Sequence, residues 1–169
     1  VLEDGRIDKL SSGSLRGTGI RTIRGKRTDY EYFADESSKN PPATGHANRM
    51  EQIIETLKKA DITARNISND IIQVSLSCSE VVQDVRISSS AGTARSGTRT
   101  RSRFAVNVVA SRGGIIQTGF ETEGGLYGID ELLKKDLLSL SAQAAERAVR
   151  MLSARHAPSG KIPVVIMSE

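Results

Sequence analysis

The residue pattern predicts an α+β fold: a mainly antiparallel β-sheet covered by two amphipathic helices, with a small N-terminal β-rich unit. Three observations carry this expectation. Residues 71–122 alternate apolar and polar side chains in short runs separated by turn-forming clusters, as strands with one buried face do. Flanking segments near 48–65 and 139–153 repeat their apolar residues at the helical period of about 3.6. The first 33 residues are short alternating runs punctuated by glycine.

In chain order, Val1 to Ile7 reads as a strand entering an Asp4-Gly5 hairpin turn, and Ser11-Ser12-Gly13-Ser14 as a loop. Leu15 to Arg24 alternates Ile20, Thr22 and Arg24 with Arg21 and Ile23, and its Gly17 and Gly19 suggest strand curvature. Gly25-Lys26 then turns the chain into Thr28 to Phe33. Serine, proline and glycine dominate Asp35 to Asn48, and Pro41-Pro42 suits neither a helix interior nor a central strand. The expected organisation is therefore an N-terminal β-rich unit over 1–40, a linker over 41–48 and a central α+β domain over 49–169.

Asn48 offers an N-cap, with Glu51 three residues on as in a capping box, before Met50, Ile53, Ile54, Leu57, Ala60 and Ala64. Four strands should follow in a meander, since short connections favour antiparallel neighbours. The first buries Ile72, Val74, Leu76 and Cys78, and the second puts Val81, Val85 and Ile87 on one face before the turn at Ser90 to Thr93. The third runs from Arg99 to Ala110, and the fourth from Ile115 to Thr122 after Arg112-Gly113-Gly114. A second helix from about Ser139 to Ser153 presents Leu138, Ala142, Ala145, Val149 and Leu152. Ile162 to Met167, β-branched and apolar, reads as a last strand. Both ends read as cut from a longer protein.

The totals exclude several classes. Charge is mixed, 24 basic against 20 acidic residues for a net +4, so it does not by itself imply nucleic acid. A single cysteine rules out an internal disulfide and fits a reducing cytoplasm, the expected location. No apolar run approaches the ~18 residues of a membrane span, so no membrane partner is expected.

Several segments together resemble the TldD/PmbA family, whose members are described as metallopeptidases and as modulators of DNA gyrase. They are Glu123-Gly124-Gly125-Leu126-Tyr127-Gly128 following a strand that ends Gln117-Thr118-Gly119, and Ala157 to Ile166. Val1 to Ile7, Arg16 to Arg21 and the strand Arg103 to Ala110 agree as well, closer to TldD than to PmbA. Three departures stand beside the match. A helix usual before Val1 is absent, the link from Phe33 to Asn48 is short, and the family's His-Glu-x-x-x-His metal motif does not occur by Glu169. The resemblance implies the N-terminal part of a zinc metallopeptidase of unfolded peptides, dimeric with itself or with a family member. Zinc belongs to the C-terminal part, and this chain supplies substrate-chamber and subunit-contact surface, with no catalytic or metal-binding residue of its own.

The residues support no strong site. His46 and His156 lie far apart without a metal-ligand partner nearby, and Cys78 reads as a buried, inert thiol. Glu121, Glu123, Asp130 and Glu131 form a surface-like carboxylate cluster. Gly124-Gly125-x-x-Gly128 lacks the Lys-Ser/Thr of a phosphate loop, which leaves a backbone role as a tight turn against a partner or peptide. Arg99, Arg101 and Arg103 project from one strand face, a second candidate contact surface. The alternative function is a non-enzymatic module binding protein or nucleic acid through the Arg95–Arg103 strand. Nucleic acid is the less expected partner, because stacking aromatics are missing.

Overall fold

The computed structural model describes residues 1–35, 46–155, 159–161 and 163–167. Strands β1 (Leu2–Glu3), β2 (Arg6–Ile7), β3 (Arg16–Arg24) and β4 (Arg27–Asp35) precede helix α1 (His46–Arg65). Strands β5 (Ile71–Ser88), β6 (Ala94–Arg112) and β7 (Ile115–Gly125) follow, then helices α2 (Ile129–Leu132) and α3 (Leu137–Met151). The α+β class is observed, with every strand pair antiparallel. One sheet has the order β2-β1-β5-β6-β7, while β3 and β4 form a separate hairpin whose β3 residues are all exposed.

Asp4 and Gly5 both take positive φ, 47° and 74°, and close the two-residue β1–β2 turn that their sequence suggests. Asp4 is held twice more: its carboxylate accepts the Val74 N–H at 3.2 Å and pairs with Arg65 of α1. Arg65 also reaches the buried Asp61 at 3.3 Å, so one guanidinium ties the first turn of the chain to helix and sheet. In the other hairpin the register runs unbroken from Arg16↔Asp35 to Arg24↔Arg27, with Gly17 and Gly19 inside it.

Residues 71–122 form three strands rather than four. The two runs read as separate strands belong to β5, paired continuously with β6 through Ser79↔Arg103, Glu80↔Ser102 and Val81↔Arg101. What changes near Ser79 is the apolar face, not the chain direction. Up to Cys78 the apolar side chains face the helices; beyond that cover, Val81, Val85 and Ile87 lie on the opposite face. Ile72 does not join the core. The register shifts between Ile71 and Gln73, so Ile71 takes the buried position and Ile72 is left 54% exposed.

Both helices cover one sheet face. Val74, Leu76, Phe104, Val106, Val108 and Ala110 meet Leu57, Ala60 and Ala64 of α1 and Ala144, Ala145 and Ala148 of α3. Helix α1 begins at His46, which places Asn48 inside its first turn instead of at its cap. Helix α3 begins at Leu137 behind Asp136, whose side chain accepts the Ser139 N–H at 3.0 Å. Its buried stripe is Leu137, Ser141, Ala144, Ala145 and Ala148, turned from the predicted stripe so that Leu138 is exposed. Ser141 is tolerated there because its hydroxyl donates to the Leu137 carbonyl at 3.0 Å.

The expected last strand is not formed. Residues 163–167 pair with no strand of the described residues, and Val164 to Met167 are strongly exposed. An apolar β-branched run becomes a strand only where a neighbour takes its backbone hydrogen bonds. His156, Pro158, Ile162 and the Pro41-Pro42 linker lie outside the described residues.

Candidate functional site on the open sheet face

The helices cover one side of the sheet and leave the other open. Cross-strand partners share a face, so the open side carries Ser79, Val81 and Gln83 of β5, Arg103, Arg101 and Arg99 of β6, and Thr122 and Gly124 of β7. All three arginines are exposed, as the spacing predicts. β6 is flanked by β5 and β7 from Ser102 onward, and its outer edge is free only over 94–101.

The three glycines act by close packing rather than as a tight turn. Gly124 and Gly125 lie in β7, opposite Arg103 and Ser102. None of the three takes a positive φ. A Cβ on Gly124 would stand 2.6 Å from the Ser102 carbonyl oxygen, and one on Gly125 would meet the Tyr127 ring at 2.3 Å. At Gly128 the Cβ would approach Glu80 Oε1 at 3.1 Å. That oxygen already accepts the Ile129 N–H at 2.7 Å, so a strand carboxylate caps the N-terminus of α2. The Ser102 hydroxyl donates to the Gly128 carbonyl at 3.3 Å, fixing the connection from the other side.

With its glycines flush against the strands, this end of the sheet holds a hollow of about 560 Å³. Arg101, Arg103, Ser79 and Thr122 line it beside Val81 and Leu126, whose aliphatic side chains are exposed, and most of the lining is apolar. Arg101 Nη2 donates to Gln83 Oε1 at 3.1 Å, and Arg103 Nε donates to Thr122 Oγ1 at 3.2 Å. A second cavity of about 450 Å³ lies between the N-terminal residues, α1 and β5, lined by Met50, Ile53, Ile54 and Cys78 among others.

The carboxylates of the 121–131 cluster are each engaged. Glu121 pairs with Arg147 at 2.6 Å, Glu123 accepts the Tyr127 hydroxyl at 2.7 Å, Asp130 pairs with Arg49 at 3.0 Å and Glu131 with Lys134 at 2.6 Å. The Glu123 contact raises the Tyr127 pKa above the usual phenol value. Glu121 and Asp130 thereby fasten β7 to α3 and α2 to α1, while the Glu123 and Glu131 contacts are local. Cys78 is partly buried against the core, and desolvation pushes its thiol up to about 11, far from a nucleophile's range.

The described residues do not fit a zinc ion. No three His, Cys, Asp or Glu side chains among them converge, and the one thiol is held protonated. Sequence reading missed Glu80, Arg49 and Gly119. Their partners lie 25 or more positions away in the chain, so no local spacing announces them.

Comparison with known proteins follows the same outline. The PmbA/TldA metallopeptidase central domain matches residues 48–152, and domain 1 of the same metallopeptidases matches 1–61. A metalloprotease TldD homolog of Haemophilus influenzae is 29% identical over 98% of this chain and 43% of its own. A metalloprotease of Methanocaldococcus jannaschii is 32% identical over 100% of this chain and 38% of its own. A Thermotoga maritima crystal structure, named as a candidate modulator of a DNA gyrase, superposes with a TM-score of 0.69 over 94% of this chain and 43% of its own. At 14% identity that superposition speaks for the fold alone. The chain spans less than half the length of each of these relatives. With the central-domain match extending from α1 to the end of α3, the chain belongs to the PmbA/TldD metallopeptidase family.

Proposed function

We propose that the longer protein is a zinc metallopeptidase acting on unfolded peptides, and that this chain lends it substrate-chamber and subunit-contact surface rather than catalytic groups. Family membership supports the activity. The uncovered sheet face, with Arg101, Arg103, Gly124 and Gly125 lining the hollow and Arg99 continuing the row, is the observation that carries the role given to this chain, while Gly128 lies beside Glu80 outside that lining. On this reading zinc is bound by a His-Glu-x-x-x-His motif in the C-terminal part. The assembly is a homodimer or a heterodimer with a family member, working in the cytoplasm. The test incubates residues 1–169 and the full-length protein separately with zinc and an unfolded peptide. Turnover and stoichiometric zinc should belong to the full-length protein; either one in residues 1–169 overturns the reading. The exposed Arg95–Arg103 face favours a second reading, a non-enzymatic binding module. A full-length protein that cleaves no peptide but loses a partner on substitution of these arginines would support it.

A further inference from the structure

Two arginines, Arg101 and Arg103, line the hollow, and among the described residues neither pairs with a carboxylate. Their hydrogen-bond partners are neutral, Gln83 for Arg101 and Thr122 for Arg103. Thr122 is itself fixed, since its hydroxyl donates to the Phe104 carbonyl at 2.8 Å. Each contact uses one of the five N–H donors of an arginine, which orients the side chain and leaves most of its donors for an anion. Arg99 and Arg95 continue the row along the same strand face, so like charges accumulate there.

Geometry narrows the anion. Residues two apart on a strand stand about 6.8 Å apart, and an extended peptide repeats its own side chains on one face at the same interval. Carboxylates at positions i and i+2 of such a peptide match the spacing of the Arg101 and Arg103 backbone positions, from which the guanidinium groups lean toward Gln83 of β5 and Thr122 of β7. Val81, 58% exposed, and Leu126, 79% exposed, offer aliphatic contact to the residues beside them. No aromatic ring lines the hollow, so a nucleic acid would find phosphate contacts without a stacking platform. We infer that the hollow formed by Ser79, Val81, Arg101, Arg103, Gly124 and Leu126 receives an extended polypeptide segment carrying acidic side chains two residues apart. This rests on the reading above that the open face contacts a peptide or partner, and it adds the chemistry of what is recognised.

The test measures fluorescence anisotropy with the full-length protein, kept metal-free by a chelator so that no probe is cleaved. The probes are three labelled peptides of one length, bearing Glu, Gln or Lys at alternate positions, and an oligothymidylate. At low salt the Glu peptide should bind about tenfold or more tighter than the Gln peptide, with the preference fading as salt rises. Arg101→Glu should abolish the preference, and Arg101→Glu with Arg103→Glu should transfer it to the Lys peptide, a gain that misfolding cannot imitate. Equal affinity for Glu and Gln peptides overturns the inference, as does tighter binding of the oligothymidylate or an unchanged preference in the variants. The two proposals fail separately: a zinc-loaded protein that cleaves nothing yet keeps the Glu preference sinks only the peptidase reading.

Discussion

Replacing Gly119 with alanine tests the packing that holds the sheet's cover in place. Gly119 is buried in β7 beneath α3, and an added Cβ would sit 1.9 Å from the Ala144 carbonyl oxygen, 2.8 Å from Ala148 N and 2.9 Å from Ala144 C. All three are backbone atoms, so no rotamer change relieves the clash. To restore ordinary contact the helix must lift by about 1.5 Å, and a gap of even ~1 Å forfeits up to about half of the dispersion energy across it. Overpacking of this kind costs roughly 3 kcal/mol, which outweighs the ~0.5–1 kcal/mol that alanine gains over glycine in a strand. For a chain of this size the net loss should lower the melting temperature by roughly 4–10 °C. Gly97→Ala is the control. That glycine also lies in a strand, with no atom within 4 Å of its added Cβ, and the change should be neutral or slightly stabilising. The measurement is thermal unfolding of the two variants by circular dichroism. A Gly119→Ala melting temperature within about 1 °C of the Gly97→Ala value would refute the reasoning. Adding Ala144→Gly should not rescue Gly119→Ala, because the clashing oxygen remains.

Two further outcomes follow from perturbed ionisations. Hydrogen bonds from Arg112 and then Ser68 hold the Asp70 carboxyl below its ordinary 3.8. A depressed folded value adds stability above the unfolded value and loses it as pH falls through the folded one. Melting temperatures of the native protein and Asp70→Asn should therefore differ at neutral pH and converge below about pH 3.8; a constant gap would refute the linkage. Cys78, pushed to about 11 by desolvation, should react with a thiol reagent at pH 8 about a hundredfold more slowly in the folded protein than after denaturation. Equal rates in the two states would place the thiol outside the core contact.

Local periodicity was enough for the element types, because helix and strand each impose a repeat that side chains reveal within a few residues. It sufficed for the Asp4-Gly5 turn, where a two-residue loop demands positive φ. It sufficed for the arginine row, since alternate residues of any strand share a face. It also placed both covering helices. The same periodicity misled where cover changes along one strand. The apolar parity switches near Ser79 because the helices end there, and a sequence shows that as if it were a break between strands. Ile72 was misplaced by a single-residue bulge that leaves no local mark.

Everything about the site that depends on two distant segments came from tertiary structure alone. Glu80 caps α2 from 49 positions away, and Arg49 reaches Asp130 across 81. The glycines at 119, 124 and 125 are favoured because other backbones and side chains approach them, not because of their own φ. Close approach is a property of two surfaces meeting, whereas periodicity is a property of one segment. The sequence by itself therefore determined which segments are strands and helices and which strand carries the charge. Only the packed chain decided that the charge borders a hollow.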